Sequence, residues 1–375
     1  MLRLIQLATS LSESSSRIED DFWEKRLTLL VMHLIASKAE ETLMAALDLL
    51  YREMSPAYGT LVRTIEACAE TQYIETPDDL DALMIAIPIM AWSRFPIPAG
   101  PIPALQLDAI RMYLQANVLA SGTKLSFCDR LYSPDQIPQT YIDTAQLMDK
   151  ITQAAKHGCD LNIDPQKMSE TMSFLSDSRY LIGAIAVTQG APMFRWQEEG
   201  GNRKESINRW ILQGSDLIRP LLPACALELQ PVNAYHAAVL DANRASHPWS
   251  LRSAVAYLQT VLNLPPSELI AVIARFHDDQ TEEYRIGLAL RPDHTVVHGV
   301  VWPLLEPEDN NNELSAEIET VLQEAGITKV IQLSQQFPIE YCDDCGTPLY
   351  PNPEGEAVHA ELSEEQTENT QRHLH

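Results

Sequence analysis

Nine consecutive residues, Met84-Ile85-Ala86-Ile87-Pro88-Ile89-Met90-Ala91-Trp92, carry no charge and no strongly polar group. A run with no polar face must be covered by protein on both sides. Strands at the centre of a layered sheet read this way, and such a strand is the expectation here. The next segment, Phe95-Pro96-Ile97-Pro98-Ala99-Gly100-Pro101-Ile102-Pro103, holds four prolines and predicts a stiff, extended loop. A helical pattern carrying Leu105, Ile110 and Leu114 follows. Strand, loop and helix in that order form the unit of an α/β layer.

The residues before this run predict helices. Ser16-Arg17-Ile18-Glu19 and Ser37-Lys38-Ala39-Glu40 both have the form of a capping box, in which the serine hydroxyl accepts from a free N–H and the glutamate reaches back. Ser55-Pro56 and Thr76-Pro77 each place a hydroxyl before a proline at the first helical position, where no N–H is needed. Starts roughly twenty residues apart predict short-linked antiparallel helices. Phe22, Leu29, Leu30 and Leu34 form the expected buried stripe of one, and Leu43, Ala46, Leu47 and Leu50 that of the next.

Two later stretches read as one design used twice. Tyr180 to Val187 turns at Gln189-Gly190 and returns through Met193 and Phe194 to Trp196, before a helix with Trp210 and the strand Cys225 to Leu229. Tyr284 to Leu290 turns at Pro292-Asp293 and returns to Trp302, before a helix with Ile318 and the strand Lys329 to Leu333. Each has tyrosine three residues before glycine and a return ending in tryptophan, which suggests a duplicated β-hairpin–helix–strand unit. The expected fold class is therefore mixed α/β (α+β): helical hairpins over 1–80, one α/β unit over 81–235 and a second over 236–350. The acidic stretch 351–375 has almost nothing apolar past Leu362 and is expected to be disordered.

Composition narrows the function. With 52 acidic against 27 basic side chains the formal charge is −25, a field that repels phosphate backbones and anionic lipid. Nucleic acid is disfavoured as a partner. The longest apolar run, Ala82 to Trp92, is eleven residues and falls short of the roughly 20 that a spanning helix needs. The first residues lack a secretory pattern, and the cysteines Cys68, Cys128, Cys159 and Cys225 are isolated rather than framed for disulfides, so a cytoplasmic location is expected.

The sharpest chemical signal is Cys342-Asp343-Asp344-Cys345-Gly346. Two residues between cysteines, with glycine next, let a tight turn point both sulfurs at one ion. The run CDDCGTPLYP over 342–351 resembles the first half of a zinc ribbon, which implies zinc as the cofactor; no second CxxC follows. His359 is a candidate third ligand, His157 or Cys159 a further one, and a homodimer pooling one pair from each protomer is the alternative. A turn without metal ranks second. A redox pair ranks last, because Asp343 and Asp344 should raise a thiol's pKa.

Two other groups qualify. His294 and His298, four apart on an expected strand, would face the same side but stand too far apart to share an ion easily, and exposed histidines are the plainer reading. Arg94, Arg179, Arg195 and Trp196 flank expected strand ends, where a small anionic ligand could be held bidentately and stacked. Pairing of Arg94 and Arg195 with surface acids is the plainer reading there. No P-loop, dinucleotide fingerprint, zinc-protease or nucleophile-elbow motif occurs.

Phe174-Leu-Ser-Asp-Ser-Arg-Tyr180, Phe194-Arg-Trp-Gln197, Val297-His-Gly-Val-Val-Trp302 and Tyr341-Cys-Asp-Asp-Cys-Gly346 together give the chain a resemblance to an uncharacterised proteobacterial family of "domain of unknown function" proteins. The resemblance covers most of the chain and implies a cytosolic bacterial protein with no assigned activity. The expected function is a binding or assembly protein with a small structural metal knuckle rather than an enzyme. The rival is an enzyme or sensor for an anionic ligand near Arg94 and Arg195.

Overall fold

The computed structural model describes residues 1–75, 79–171, 174–278, 281–305 and 312–362, and the fold is mixed α/β. Contacts group the chain into two units: Met1–Ala91 with Ile97–Phe174 and Ser178–Ala242, and Trp92–Pro96 with Leu175–Asp177 and Asn243–His375.

The first unit begins with α1 (Leu2–Ser12), α2 (Arg17–Ala36), α3 (Glu40–Arg52) and α4 (Ala57–Glu70). Ser16 caps α2 as expected, its hydroxyl accepting from the Glu19 N–H at 3.3 Å. The second capping box does not form. Ser37 ends α2, Lys38 turns the chain with a φ of 57°, and α3 starts from Ala39 with no side-chain cap. Leu43, Ala46, Leu47 and Leu50 are the buried face of α3, as their spacing requires. The stripe expected for α2 is rotated: Leu27 and Val31 are buried, Leu30 and Leu34 pack at the margin, and Leu29 is 68% exposed. Apolar residues surround α2 on several sides, so packing against α1 and α4 selects the face rather than the period. Thr76 and Pro77 lie outside the described residues, and a strand follows them rather than a helix.

The first sheet holds β1 (Thr71–Ile74), β2 (Leu80–Trp92), β3 (Gly100–Pro101), β4 (Lys124–Tyr132) and β5 (Ser176–Thr188) in the order β1-β2-β5-β4-β3. The nine-residue apolar run is the body of β2, and Met84 to Ala91 are all buried. Pro88, which has no N–H to donate, accepts from the Gln230 N–H at 3.0 Å. Helices α5 (Ala104–Asn117), α6 (Tyr141–Lys156) and α7 (Arg203–Ile218), then β6 (Ala226–Leu229) and β7 (Asn233–Ala234), complete the unit, and both short strands pair with β2. Helix α8 (Tyr235–Leu262) starts in this unit and ends in the second.

The second unit is a four-stranded sheet in the order β10-β9-β8-β11, from β8 (Leu269–His277), β9 (Thr281–Leu290), β10 (Val296–Pro303) and β11 (Lys329–Pro338), with α9 (Asn312–Glu324) before the last strand. The pairs β8–β9 and β9–β10 are antiparallel and β8–β11 is parallel. One core joins Leu251, Val255 and Leu258 of α8 with Ile273, Ile286 and Trp302 of the sheet and Ile318 and Leu322 of α9. Two short strands, β12 (Tyr350–Pro351) and β13 (Ala357–Val358), follow the cysteine pair.

Only the second of the two similar stretches is a hairpin, helix and strand. After β5 the chain does not return as a strand: Phe194 makes an isolated bridge to Leu119, and Arg195–Gln197 is a 3-10 turn. Trp196 thus sits in a turn and Trp302 in a strand, so among the described residues the two stretches do not repeat one β-hairpin–helix–strand unit. Phe194 and Trp196 are apolar because they pack on the first core from a loop, which mimics a strand pattern in sequence. The expectation of disorder from 351 onward also fails over its first residues, since β12 pairs with β13; residues 363–375 lie outside the described set.

Candidate metal centre

The cysteine pair sits on a loop fastened at its base by a buried arginine. Arg285 on β9 is fully buried, and its Nη1 donates to the carbonyls of Glu340 at 2.7 Å and Leu349 at 2.9 Å, one on each side of the loop. Its Nε meets Glu283 at 2.6 Å, and its guanidinium lies 4.3 Å from the Phe276 ring centre and 5.3 Å from that of Tyr341. Such a planar, always charged group suits two fixed carbonyls and two ring faces better than lysine would.

Inside that clamp the chain makes a hairpin. Tyr341 bridges Pro348 antiparallel, and the Leu349 N–H donates to the Glu340 carbonyl at 3.3 Å. At the tip the Cys342 N–H donates to Thr347 and the Gly346 N–H to the Cys342 carbonyl, both at 2.8 Å. Gly346 has a φ of +71°, which a side chain would resist, so the glycine after the second cysteine is what lets the turn close. Both cysteines are free thiols; Cys342 is half-buried and Cys345 exposed.

A second turn delivers the histidine. The Asn352 N–H donates to the Glu356 carbonyl at 2.9 Å and the Glu356 N–H to Asn352 Oδ1 at 2.8 Å, which reverses the chain between β12 and β13. The Glu361 N–H then donates to the Val296 carbonyl of β10 at 2.9 Å. His359, held between these anchors, turns Nε2 to within 3.2 Å of Cys345 Sγ. Ligand atoms of Cys342, Cys345 and His359 all lie within 4.8 Å of one another, so this group could hold a metal ion. Behind it, His359 Nδ1 is buried without a hydrogen bond, 3.6 Å from a Glu361 carboxylate oxygen. A carboxylate near the non-ligating nitrogen is the usual way of orienting a metal-bound imidazole.

The electrostatics differ from expectation. Thr347 Oγ1 lies 3.0 Å from Cys345 Sγ. That contact, with further hydrogen bonds to Thr347, His359 and Cys342, lowers the Cys345 thiol from 9.0 to about 7. The expected rise caused by Asp343 and Asp344 is not what this thiol experiences, because direct hydrogen bonds to sulfur outweigh solvated carboxylates. A thiolate available near neutral pH is the form a metal takes.

The other candidates are dispersed. His157 and Cys159 belong to the first unit and are not in the three-residue group, and the Cys159 thiol contacts the Ala154 carbonyl at 3.3 Å. His294 lies in the turn before β10 and pairs through Nδ1 with Glu354 at 2.6 Å, whereas His298 is on β10 past a bulge, 6.0 Å from the Tyr257 ring; the two do not share one strand. Arg179 is 1% exposed and donates to the carbonyls of Pro98 and Ile97, each at 2.8 Å. It fixes the proline loop. Arg195 donates to the Gln115 carbonyl at 3.2 Å, and Trp196 stacks on Phe194 with ring centres 4.5 Å apart. Arg94 is exposed and belongs to the second unit, whereas Arg179, Arg195 and Trp196 belong to the first. Sequence reasoning missed Arg285 as a positioning residue; an arginine inside an apolar strand, Tyr284-Arg285-Ile286, was the available signal.

No helix among the described residues is long and apolar enough to cross a membrane. Comparison with curated proteins and with solved structures gave no match. A family model described as "Protein of unknown function (DUF2863)" matches residues 1–373. From Met1 through the cysteine loop and its histidine, the chain belongs to that family of unknown function, DUF2863.

Proposed function

We propose that the chain is a binding or assembly protein whose second unit carries a zinc knuckle made by Cys342, Cys345 and His359. The observation that carries this reading is the convergence of a thiol pair with a histidine fourteen residues away, Cys345 Sγ to His359 Nε2 being 3.2 Å. Zinc bonds of about 2.3 Å to sulfur and 2.0 Å to nitrogen, at a tetrahedral angle, separate those atoms by roughly 3.5 Å. The Cys345–His359 pair therefore fits zinc with a shift of a few tenths of an ångström, and all three donors lie within 4.8 Å of one another. Two thiolates and an imidazole also match its ligand preference better than that of calcium or magnesium.

Three ligands leave a fourth position for a further donor, and the exposure of Cys345 is consistent with a donor from solvent or another chain. A structural zinc is normally closed by four protein ligands, so the fourth donor comes from a second chain in an assembly reading and from water in a monomer. Metal analysis of untagged protein, repeated on Cys342→Ser and His359→Ala, tests the proposal. One zinc per chain in wild type, lost in both variants, supports the knuckle; half a zinc per chain with a dimeric mass supports the shared site. Metal-free wild type that takes up no zinc on titration refutes it.

A further inference from the structure

A cavity of about 830 Å³ lies within the first unit, away from any residue of the cysteine loop in sequence. Its floor is a sheet face built of small side chains: Ala82 on β2, with Ala184 and Ala186 on β5. In the β4–β5 register Lys124 stands opposite Ala186 and Ser126 opposite Ala184, so these four share that face. Helix α5 presents Asp108 and Arg111, three residues apart, and α6 presents Thr152, Ala155 and Lys156 at the spacing of one helix face. The space exists because alanines stand where leucine or isoleucine would close the gap between sheet and helices.

Its charges are arranged unevenly. Arg111 is forked between Asp108 and Asp160, and the second Asp160 oxygen accepts from the Phe127 N–H at 2.8 Å. Both carboxylates that line the cavity pair with one arginine, and with Lys124 and Lys156 the lining holds three cations against two carboxylates. Lys124 and Lys156 also line it, and among the described residues neither has a carboxylate within ion-pair distance. In a chain with 52 acidic and 27 basic side chains, two lysines without acid partners at one apolar cavity favour an anion there. The volume falls in the range of small-molecule sites, roughly 300–1,000 Å³, which combine an apolar lining with a few orienting polar groups.

We infer that this cavity binds a small organic acid, its apolar body on the alanine floor and its carboxylate met by the Lys124 and Lys156 ammonium groups. Two separate point charges suit a compact head with one negative charge. A polyphosphate would call for a glycine-rich run of backbone N–H groups, and the lining offers none. Aliphatic and aromatic carboxylates share the chemistry, and the test separates them. The inference stands apart from the zinc reading, because its residues are in the first unit.

Calorimetry on the full chain with decanoate, 1-naphthoate and the neutral 1-naphthalenemethanol is the experiment, alongside peptide-resolved alkylation of Cys159, an exposed thiol that lines the cavity. One acid binding per chain, and slowing alkylation of Cys159, is the expected result; the tighter acid identifies the body as aliphatic or aromatic. Lys124→Ala with Lys156→Ala should weaken that acid by about tenfold or more and leave the neutral alcohol unchanged, a step of about 1.4 kcal/mol. Both lysines are exposed, so this variant keeps the core intact and isolates binding from folding. Ala184→Leu, which fills the floor, should abolish binding. Failure of both acids to bind at about 1 mM, where affinity is already weak, overturns the inference. So does undiminished binding by the lysine variant, or Cys159 alkylation that no acid slows.

Discussion

Gly287 on β9 and Gly299 on β10 are directly opposite one another in the antiparallel register, and together they make a notch in the sheet for the segment after the cysteine loop. A Cβ at Gly287 would stand 2.1 Å from the Pro351 carbonyl oxygen, and one at Gly299 would stand 2.2 Å from the Tyr350 ring. Strand β12 can lie on the sheet only because both side chains are absent. The notch therefore sets where β13 and His359 arrive. Gly287→Ala should be the worse substitution, since the clash is with backbone, while Tyr350 can swing its ring away at Gly299→Ala. Overpacking of this kind destabilises by roughly 1–3 kcal/mol. The expected signature is loss of zinc uptake in Gly287→Ala beyond its loss of stability, read by metal titration beside urea denaturation.

Arg285→Met keeps most of the side-chain volume but removes the clamp on Glu340 and Leu349, and it strands Glu283, whose carboxylate lies 2.6 Å from Arg285 Nε. Breaking a buried pair from one side destabilises by about 3–5 kcal/mol. Arg285→Met with Glu283→Gln should recover part of that, while Arg285→Lys should not restore the loop, because an ammonium cannot span both carbonyls in the same plane. Thermal denaturation of the three variants checks the order.

The sequence was legible where one signal had one physical cause. Met84 to Ala91 had no polar face and became a buried strand; Leu43, Ala46, Leu47 and Leu50 had one period and became one face. It was illegible where the cause was tertiary. The face of α2 was chosen by its neighbours, and Phe194 with Trp196 packed from a loop while patterned like a strand. The site divides in the same way. Cys342, Cys345 and His359 were readable as ligand types, but their meeting depends on the Gly287–Gly299 notch and on Arg285, contacts that no local spacing encodes.

Glu70, buried, and His236, half-buried beside it, have opposed pH responses. Glu70 ends α4 and accepts from the His236 N–H at 2.9 Å, in the first turn of α8. Burial raises its carboxyl from 4.5 to about 7, and burial lowers the His236 imidazole from 6.5 to about 4. For Glu70 the folded state holds a proton that the unfolded chain has released, so stability falls as pH rises from 4.5 to 7. For His236 the unfolded chain gains a proton that the folded state refuses, so stability falls as pH drops from 6.5 to 4. The two slopes cancel in part between 4.5 and 6.5. Glu70→Gln keeps an acceptor for the N–H and removes one slope. It should stabilise the protein at pH 8, by at most about 3 kcal/mol, and make stability decline visibly below pH 6.5. Urea denaturation from pH 5 to 8 would contradict this if the variant and wild type ran parallel.

Zinc should stabilise the loop more than the sheet beneath it. The second core is built by α8, α9 and the sheet through Ile273, Ile286, Trp302 and Ile318 and includes neither cysteine of the loop, so removal of metal should leave that core intact. A bound ion would tie together the segment from Glu340 to Glu361, which is held by Arg285, the β12–β13 pair and the Glu361 N–H. Zinc at about a hundred times its Kd adds about 2.7 kcal/mol to a state that binds it and nothing to one that does not. Limited proteolysis is the direct readout: saturating zinc should protect bonds between residues 340 and 362, chelator should expose them, and cleavage elsewhere should stay constant. His359→Ala should be cut in this segment equally fast with and without zinc. Protection that survived in His359→Ala would mean that the histidine is not a ligand.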